Sequence, residues 1–250
     1  MLFSLWVGAA SGRKNVRNYH LLYQGAERLG RTDKLDDLYT VLEHEIQLFV
    51  AENAKNRVLV HAGVVGWRGQ AIVIPGRSYS GKSTLVEALL RAGADYYSDE
   101  YAVLDSRGRV HPFARRLALR ERNGRPPEKP SAEELGSQTG KKPLPVALVA
   151  LPRYFPGKHW QPRTLSEGQA VLEIMNNTMC AQKKPAIALA TLRRVVARAT
   201  VLKGPRGDAD ETARTLLEQL GRPTGPATRF AQSLFQGVRT SCCRWLGIKV

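Results

Sequence analysis

A glycine, four further residues and then glycine, lysine and serine occupy residues 76–83. Glycines permit backbone conformations in which successive N–H groups point inward and surround an anion. Lys82 would bring a positive charge to the β- and γ-phosphates of a nucleotide, and the Ser83 hydroxyl could bind Mg²⁺. The pattern therefore predicts a phosphate-binding loop. We assign nucleotide binding to Gly76, Arg77, Ser78, Tyr79, Ser80, Gly81, Lys82, Ser83 and Thr84.

Two acidic residues, Asp99 and Glu100, follow Lys82 by only 17 and 18 positions. A helix of about ten residues after the loop would return the chain to a strand beside the bound phosphates. A carboxylate in that place can accept the proton of an attacking hydroxyl, so Asp99 is the candidate general base. Glu100 is the candidate metal ligand. The alternative interpretation is a solvated strand end that carries two acids.

A single histidine, His61, lies among valines in the segment VLVHAGVV. A lone histidine in such a segment is more often a core or edge residue whose ring is hydrogen-bonded. From the residues alone, that interpretation is favoured over a catalytic role. The other four histidines form no cluster in the sequence, and no cysteine has a partner at zinc-site spacing, so no zinc site is expected.

The elements that would position these residues can be predicted from hydrophobic periodicity. Residues 57–67 and 70–75 are rich in Val and Ile and predict two strands joined as a hairpin by WRGQ. A helix over 83–93 ends at Gly93, and a strand over 95–105 is interrupted at 98–100. Further strands are predicted over 110–120 and 146–154, and the segment 185–204 predicts a helix running into a strand. Strands that alternate with helices predict an α/β fold.

The remaining segments complete one predicted domain over residues 1–220. Residues 1–57 would add short strands and an amphipathic helix that packs on the domain. That helix begins near Thr32 with a capping residue and carries an apolar stripe from Leu35 to Phe49. A helix follows Thr164 or Ser166, and another is capped by Asp208 or Asp210. The polar segment 121–145 predicts a long loop or partly disordered insert, and 221–250 a basic tail.

The composition limits the classes of partner. The chain of 250 residues has a formal net charge of +16, which favours anionic partners such as nucleotides or acidic peptides. No helix-turn-helix, zinc finger or ribonucleoprotein motif stands out, so specific nucleic-acid binding is not expected. No apolar run is long enough for a membrane span. The three cysteines form no disulfide framework, which favours a cytoplasmic protein.

The segment HAGVVGWRGQAIVIPGRSYSGKSTLVEALLRAGADYYSDEYAVLD, residues 61–105, resembles the C-terminal catalytic domain of HPr kinase/phosphorylase. More narrowly, it is similar to the HPr-kinase-related serine kinases. The resemblance is close over residues 58–105 and looser to about residue 220. That family is similar in fold to phosphoenolpyruvate carboxykinase. The resemblance therefore implies an α/β P-loop domain with a mixed sheet in which strands 58–65 and 70–75 are antiparallel.

The resemblance also implies roles for individual residues. His61 matches the histidine that partners the catalytic carboxylate, and Asp99 matches the carboxylate that acts as base. The family has a later Glu on the metal and an Arg near the transferred phosphate, for which Glu121 and Arg163 lie at suitable distances along the chain. The family's acidic pair is two aspartates, where this chain has Asp and Glu. The predicted catalytic residues are Asp99, His61, Lys82 and Arg163, and the predicted metal ligands are Ser83, Glu100 and Glu121.

The predicted function is that of an ATP- and Mg²⁺-dependent kinase, a phosphotransferase that phosphorylates a serine hydroxyl on a peptide or protein. One alternative is a small-molecule kinase of the free-serine type with the same machinery. Another is a nucleotide-binding regulatory module without turnover. Members of the family commonly form homo-oligomers, so a homo-oligomer is a possible assembly.

Overall fold

The computed structural model describes residues 2–8, 18–77, 80–117, 119, 130–179 and 181–221. The predicted α/β class with a mixed sheet is confirmed. The helices of this part of the chain are α1 (Leu35–Asn53), α2 (Lys82–Arg91), α3 (Glu167–Met175), α4 (Pro185–Val196) and α5 (Ala209–Gly221), with a 3₁₀ turn at Glu133–Leu135. The strands are β1 (Phe3–Trp6), β2 (His20–Gln24), β3 (Glu27–Thr32), β4 (Arg57–Trp67), β5 (Gln70–Pro75), β6 (Asp95–Ser98), β7 (Tyr101–Asp105), β8 (Arg109–His111), β9 (Leu144–Tyr154), β10 (Arg163–Thr164) and β11 (Thr200–Arg206).

The main sheet has the strand order β10-β11-β9-β5-β4-β7-β8, and β6 also pairs with β4. Strands β5, β9 and β11 run parallel, whereas β4 is antiparallel to β5, β6 and β7. The predicted β4–β5 hairpin is confirmed. Its turn residues Arg68 and Gly69 have φ values of 51° and 76°, a left-handed pair that suits a tight two-residue turn. The long central strand β4 therefore pairs with both the strand before the glycine loop and the strands around the acidic pair.

Both faces of the main sheet are covered, because side chains alternate along each strand. On β5, Ile72 and Ile74 point into a core shared with α2 and α5. Ala71 and Val73 point the other way, into a core shared with α3 and α4. The four side chains are at most 3% exposed. A strand buried on both faces is why QAIVIP reads as a continuous apolar run.

The N-terminal strands form a separate antiparallel sheet, β1-β2-β3, against which α1 packs through Leu38. The predicted helix is confirmed, but most of its apolar stripe is not covered. Ile46 is 45% exposed and Phe49 is 39% exposed, because α1 packs only lightly on β4. Thr32 does not occupy the N-cap position, which falls to Lys34; the Thr32 hydroxyl instead accepts from the Lys34 N–H at 3.1 Å.

One other local prediction differs from the structure. The strand predicted over 110–120 is only the three-residue β8, since residues 112–117 leave the sheet at Pro112. Residues 130–143, the described part of the predicted polar insert, form a loop with the 3₁₀ turn, anchored where the Ser137 hydroxyl donates to the Ala94 carbonyl at 2.7 Å. Ser166 caps α3 in a capping box. Asp208 caps α5 and accepts a hydrogen bond from the Glu211 N–H at 2.9 Å.

Parts of the predicted insert and tail, residues 121–129 and 222–250, lie outside the described residues. Within the described part of the chain, none of the helices combines the length and the apolar character needed to cross a bilayer.

Candidate functional site

The glycine loop follows β5 and opens helix α2, as predicted. Gly81 lies at the helix N-cap with φ of 82°, and a Cβ there would stand 2.6 Å from Nη2 of Arg206. A Cβ on Gly76 would stand 2.6 Å from the Ser80 Oγ. A side chain at either position would therefore displace a movable group, the Ser80 hydroxyl or the end of Arg206, and Gly81 is in addition favoured by its backbone conformation. Ser78 and Tyr79 lie outside the described residues.

The loop gathers groups that suit an anion. Lys82 is only 7% exposed, and its ammonium donates to the Arg77 carbonyl at 2.9 Å. The Ser80 Oγ is buried and has no hydrogen-bond partner among the described residues. Ser83 and Thr84 lie half-buried in the first turn of α2, where the helix dipole is positive. An ammonium, an unpaired hydroxyl and a helix N-terminus together favour a phosphate group.

The acidic pair lies in a tight turn between β6 and β7. The Ser98 Oγ accepts from the N–H groups of Glu100, at 3.2 Å, and Tyr101, at 3.0 Å, which fixes the turn. The buried Tyr96 hydroxyl donates to Oδ1 of Asp99 at 2.9 Å, and Asp99 is 9% exposed. Neither Tyr96 nor Ser98 was singled out in the sequence. Their place two strand positions apart beside the acids is the signal that could have marked them.

Strand β4 brings the loop and the acidic turn together at His61 and Ala62. The Gly76 N–H donates to the His61 carbonyl at 3.1 Å, and the Ala62 N–H donates to the Glu100 carbonyl at 3.0 Å. The start of the loop and the acidic turn are thus fixed on opposite sides of two consecutive residues. The described site residues of the loop, those of the acidic turn and His61 therefore lie together at one end of the central strands.

The electrostatics of the acidic turn show how close the charges are. Burial, and then the Asp99 charge, raise the pKa of Glu100, while the Lys82 ammonium lowers it in part. Burial and Asp99 also raise the pKa of Tyr96, so its phenol stays protonated as a donor. Glu100 is in addition paired with Arg115 at 3.2 Å. A cation that bound beside Glu100 would relieve the cost of two neighbouring carboxylates.

His61 is half-buried, and its ring centroid lies 5.8 Å from that of Tyr101. Burial, then Lys82 and His44, lower the pKa of His61 from 6.5 to about 4. The imidazole is therefore neutral near neutral pH and can serve as a hydrogen-bond donor or acceptor, but not as a cation. Tyr96 is a hydrogen-bond partner of Asp99.

The neutral His61 makes a testable contribution to acid sensitivity. Its pKa is lower in the folded state, about 4, than its ordinary 6.5, so the unfolded chain binds the extra proton first. Stability should therefore fall as pH falls from 6.5 towards 4. Between about pH 7.5 and about pH 5, the wild type should lose roughly 2 kcal/mol of unfolding free energy that His61→Gln keeps. Urea unfolding at the two pH values measures this.

A second acid-sensitive group, Asp105, titrates below the pH range of that measurement. Burial would raise its pKa, but hydrogen bonds from the Arg109 N–H, His111, the Arg109 side chain and the Arg107 N–H outweigh burial and lower it to about 2. Its contribution is therefore lost only as pH falls below its ordinary 3.8 towards 2. Equal losses in the wild type and the His61 variant above that range would contradict a buried neutral imidazole.

The structure does not bring Arg163 to the loop. Arg163 lies exposed on the edge strand β10, opposite Lys203. Three strand spacings, roughly 14 Å, separate β10 from β5. Glu121 lies outside the described residues.

The arginine that does reach the loop is Arg206, which the sequence analysis did not single out. It stands at the end of β11, is 3% exposed, and donates to the Gly81 carbonyl at 3.1 Å and the Gly207 carbonyl at 2.9 Å. The segment GPRGD, between a strand and a capped helix, was the available signal. A buried guanidinium adds positive charge where the loop meets α2.

A cavity of about 450 Å³ opens between α1 and β7, next to the acidic turn. Its walls are mainly apolar, and its polar end is formed by Gln47, Glu43 and Arg115. Arg115 pairs with Glu43 and Glu100, and the Gln47 amide, oriented to satisfy its neighbours, donates to Oε1 of Glu100 at 3.2 Å. Two side chains of the cavity wall, Gln47 and Arg115, therefore contact the Glu100 carboxylate. The apolar lining of the cavity consists of Tyr39, Leu42, Ile46, Val50, Leu59, Tyr101 and Phe113.

A scan against protein-family models finds no match to this chain, and a comparison with curated proteins finds no matching sequence. The described residues also contain no group of three His, Cys, Asp or Glu side chains placed to hold a metal ion.

Proposed function

We propose that the protein is an ATP- and Mg²⁺-dependent kinase that transfers the γ-phosphoryl group to a serine hydroxyl of a peptide or protein. One observation carries the proposal: β4 binds the start of the glycine loop through the His61 carbonyl and the acidic turn through the Ala62 N–H. The loop that would hold the phosphates and the turn that carries the buried Asp99 are therefore anchored on two adjacent residues. This is the arrangement that in-line phosphoryl transfer needs.

We also propose that the domain is of the HPr kinase type, with the P-loop fold that this implies. Support comes from the sequence motif and from the antiparallel pairing of β4 with β5, next to the glycine loop. In a sheet of wholly parallel strands, the strand that leads into the loop would not be joined to its neighbour by a hairpin.

Each residue of the site has a role in the proposed reaction. The serine oxygen attacks the γ-phosphorus, the bond to the β–γ bridging oxygen breaks, and ADP leaves. Asp99 takes the serine proton, and Tyr96 orients its carboxylate through the bond to Oδ1. Lys82 and the loop N–H groups stabilise the charge that develops on the phosphate oxygens. His61 is the predicted partner of the Asp99 carboxylate, and its neutral ring can donate or accept the hydrogen bond that the role requires.

The residues present fit a magnesium ion. Mg²⁺ prefers hard oxygen donors and usually takes one or two from the protein and the others from phosphates and water. The Ser83 hydroxyl and the Glu100 carboxylate are such donors, and they would hold the ion. When bound, Mg²⁺ would neutralise charge on the β- and γ-phosphates.

The cavity bears on which acceptor is used. Free serine has no apolar group to fill a space lined by Ile46, Val50 and Phe113, whereas a peptide offers the side chains next to its serine. Gln47 and Arg115 of the cavity wall contact Glu100, the neighbour of Asp99, so an apolar side chain bound in the cavity would bring an adjoining serine towards the acidic turn. This favours a peptide or protein acceptor over the free-serine alternative.

Phosphate transfer from labelled ATP provides the test. Serine peptides with leucine or phenylalanine next to the serine are compared with matched peptides that carry aspartate there, and with free serine. We expect Mg²⁺-dependent transfer, fastest to the apolar peptides. Calorimetry that found no uptake of ATP or ADP with Mg²⁺ would reject the function. Binding without transfer to any acceptor would favour the regulatory module.

A further inference from the structure

Three parallel strands of the main sheet have their carboxyl ends on the side where the glycine loop lies. Strand β5 runs into the loop, its parallel neighbour β9 ends at Tyr154, and the next parallel strand, β11, ends at Arg206. Tyr154 and Arg206 are direct partners in the register of β9 and β11. Ligands of α/β sheets bind at the carboxyl ends of parallel strands, so this side is where a nucleotide would lie.

Two aromatic side chains stand exposed on this side. Tyr154, the last residue of β9, is 55% exposed, and Phe155, which follows it, is 40% exposed. The Arg206 guanidinium lies 5.3 Å from the centre of the Tyr154 ring and also donates to the Gly81 carbonyl. The Arg206 guanidinium thus lies between the Tyr154 ring and the phosphate loop. The distance it spans is comparable to the length of the ribose that joins a base to its phosphates.

The backbone that carries the two rings is held in place. The Phe155 N–H donates to the Arg206 carbonyl at 2.8 Å, and the Lys158 N–H donates to the Phe155 carbonyl at 3.2 Å. Gly207 packs against the Lys158 carbonyl so closely that no Cβ would fit. Exposed aromatic rings on a fixed backbone lose little entropy when a flat ligand stacks on them.

We propose that the ring of Tyr154, with Phe155 beside it, is the surface on which the purine base of the bound nucleotide stacks. This rests on the proposed function, because the loop must hold the phosphates of that nucleotide. The aromatic face offers stacking, and Arg206 lies close enough to contact the base or its phosphates. Recognition of the base through stacking alone would accept adenine and guanine nucleotides alike.

Calorimetry with two ligands separates base binding from phosphate binding. ADP carries the base, whereas inorganic pyrophosphate offers phosphates alone; both are titrated with Mg²⁺. Tyr154→Ala should weaken ADP binding about ten-fold or more and leave pyrophosphate binding unchanged. Tyr154→Phe keeps the ring and should bind ADP within about two-fold of the wild type. Phe49→Ala is the matched control, since Phe49 is 39% exposed but lies on α1.

Three results would overturn the proposal. Wild-type affinity of Tyr154→Ala for ADP would show that the ring does not contact the base. Equal weakening of both ligands would show that Tyr154 supports the loop through Arg206 instead. A wild-type protein that binds pyrophosphate, which matches the two phosphates of ADP, as tightly as ADP has no base site, although its phosphate loop would stand. Binding of neither ligand would remove the proposed function itself.

Discussion

Replacing Asp99 by asparagine is expected to lower the rate of phosphoryl transfer by about 10²–10⁴-fold, the usual contribution of a positioned general base. Asparagine has the same shape and can still accept the Tyr96 hydroxyl through its amide oxygen. It cannot take the proton of the acceptor. Affinity for ATP should stay within about two-fold, because the carboxylate lies on the turn and not in the loop. Single-turnover transfer measures the rate, and calorimetry measures the affinity.

Two further variants locate the effect on Asp99. Tyr96→Phe removes only the hydrogen bond to Oδ1 and should slow transfer by roughly ten-fold, about the worth of one hydrogen bond to a charged group. Glu100→Gln should raise the Mg²⁺ concentration needed for half-maximal rate, because it removes a metal ligand and not the base. Transfer at the wild-type rate by the Asp99 variant would exclude this carboxylate as the base.

The elements that hold the site could be predicted because their signals are local. The apolar run of β5, the glycines of the loop and Gly93 at the end of α2 lie within one continuous segment. Each reports its own backbone conformation, so the strand, the loop and the helix are correct. The interruption at Ser98–Glu100 was predicted in the same way, from polar residues within an apolar pattern.

Arg206 could not be predicted in that way, because its position depends on strand order. It contacts Gly81 across 125 residues, and the contact exists only because β11 pairs with β9, and β9 with β5. Spacing along the chain instead pointed to Arg163, which the same topology places on the edge strand. The exposed stripe of α1 has a related origin: periodicity predicts an apolar face but not what covers it.

The second large effect is expected at Gly81. An alanine there must adopt φ of 82°, at a cost of about 1 kcal/mol, and its Cβ would stand 2.6 Å from Nη2 of Arg206. Nη2 is the end of a flexible side chain, but Arg206 is buried and donates to the Gly81 carbonyl, so relief of the contact would disturb that hydrogen bond. The strained turn and the displaced guanidinium would then weaken phosphate binding. We expect Gly81→Ala to weaken ATP binding by about a hundred-fold or more.

Gly69 supplies a control with the same backbone demand and none of the crowding. Its φ is 76°, in the β4–β5 turn, and a Cβ there would meet nothing within 4 Å. Gly69→Ala should lose about 1 kcal/mol of unfolding free energy, as Gly81→Ala does through its backbone, yet bind ATP like the wild type. Urea unfolding and ATP titration of both variants separate strain from crowding. Normal ATP binding by Gly81→Ala would contradict the assignment of the loop as the phosphate site. That result would not depend on the role of the acidic turn.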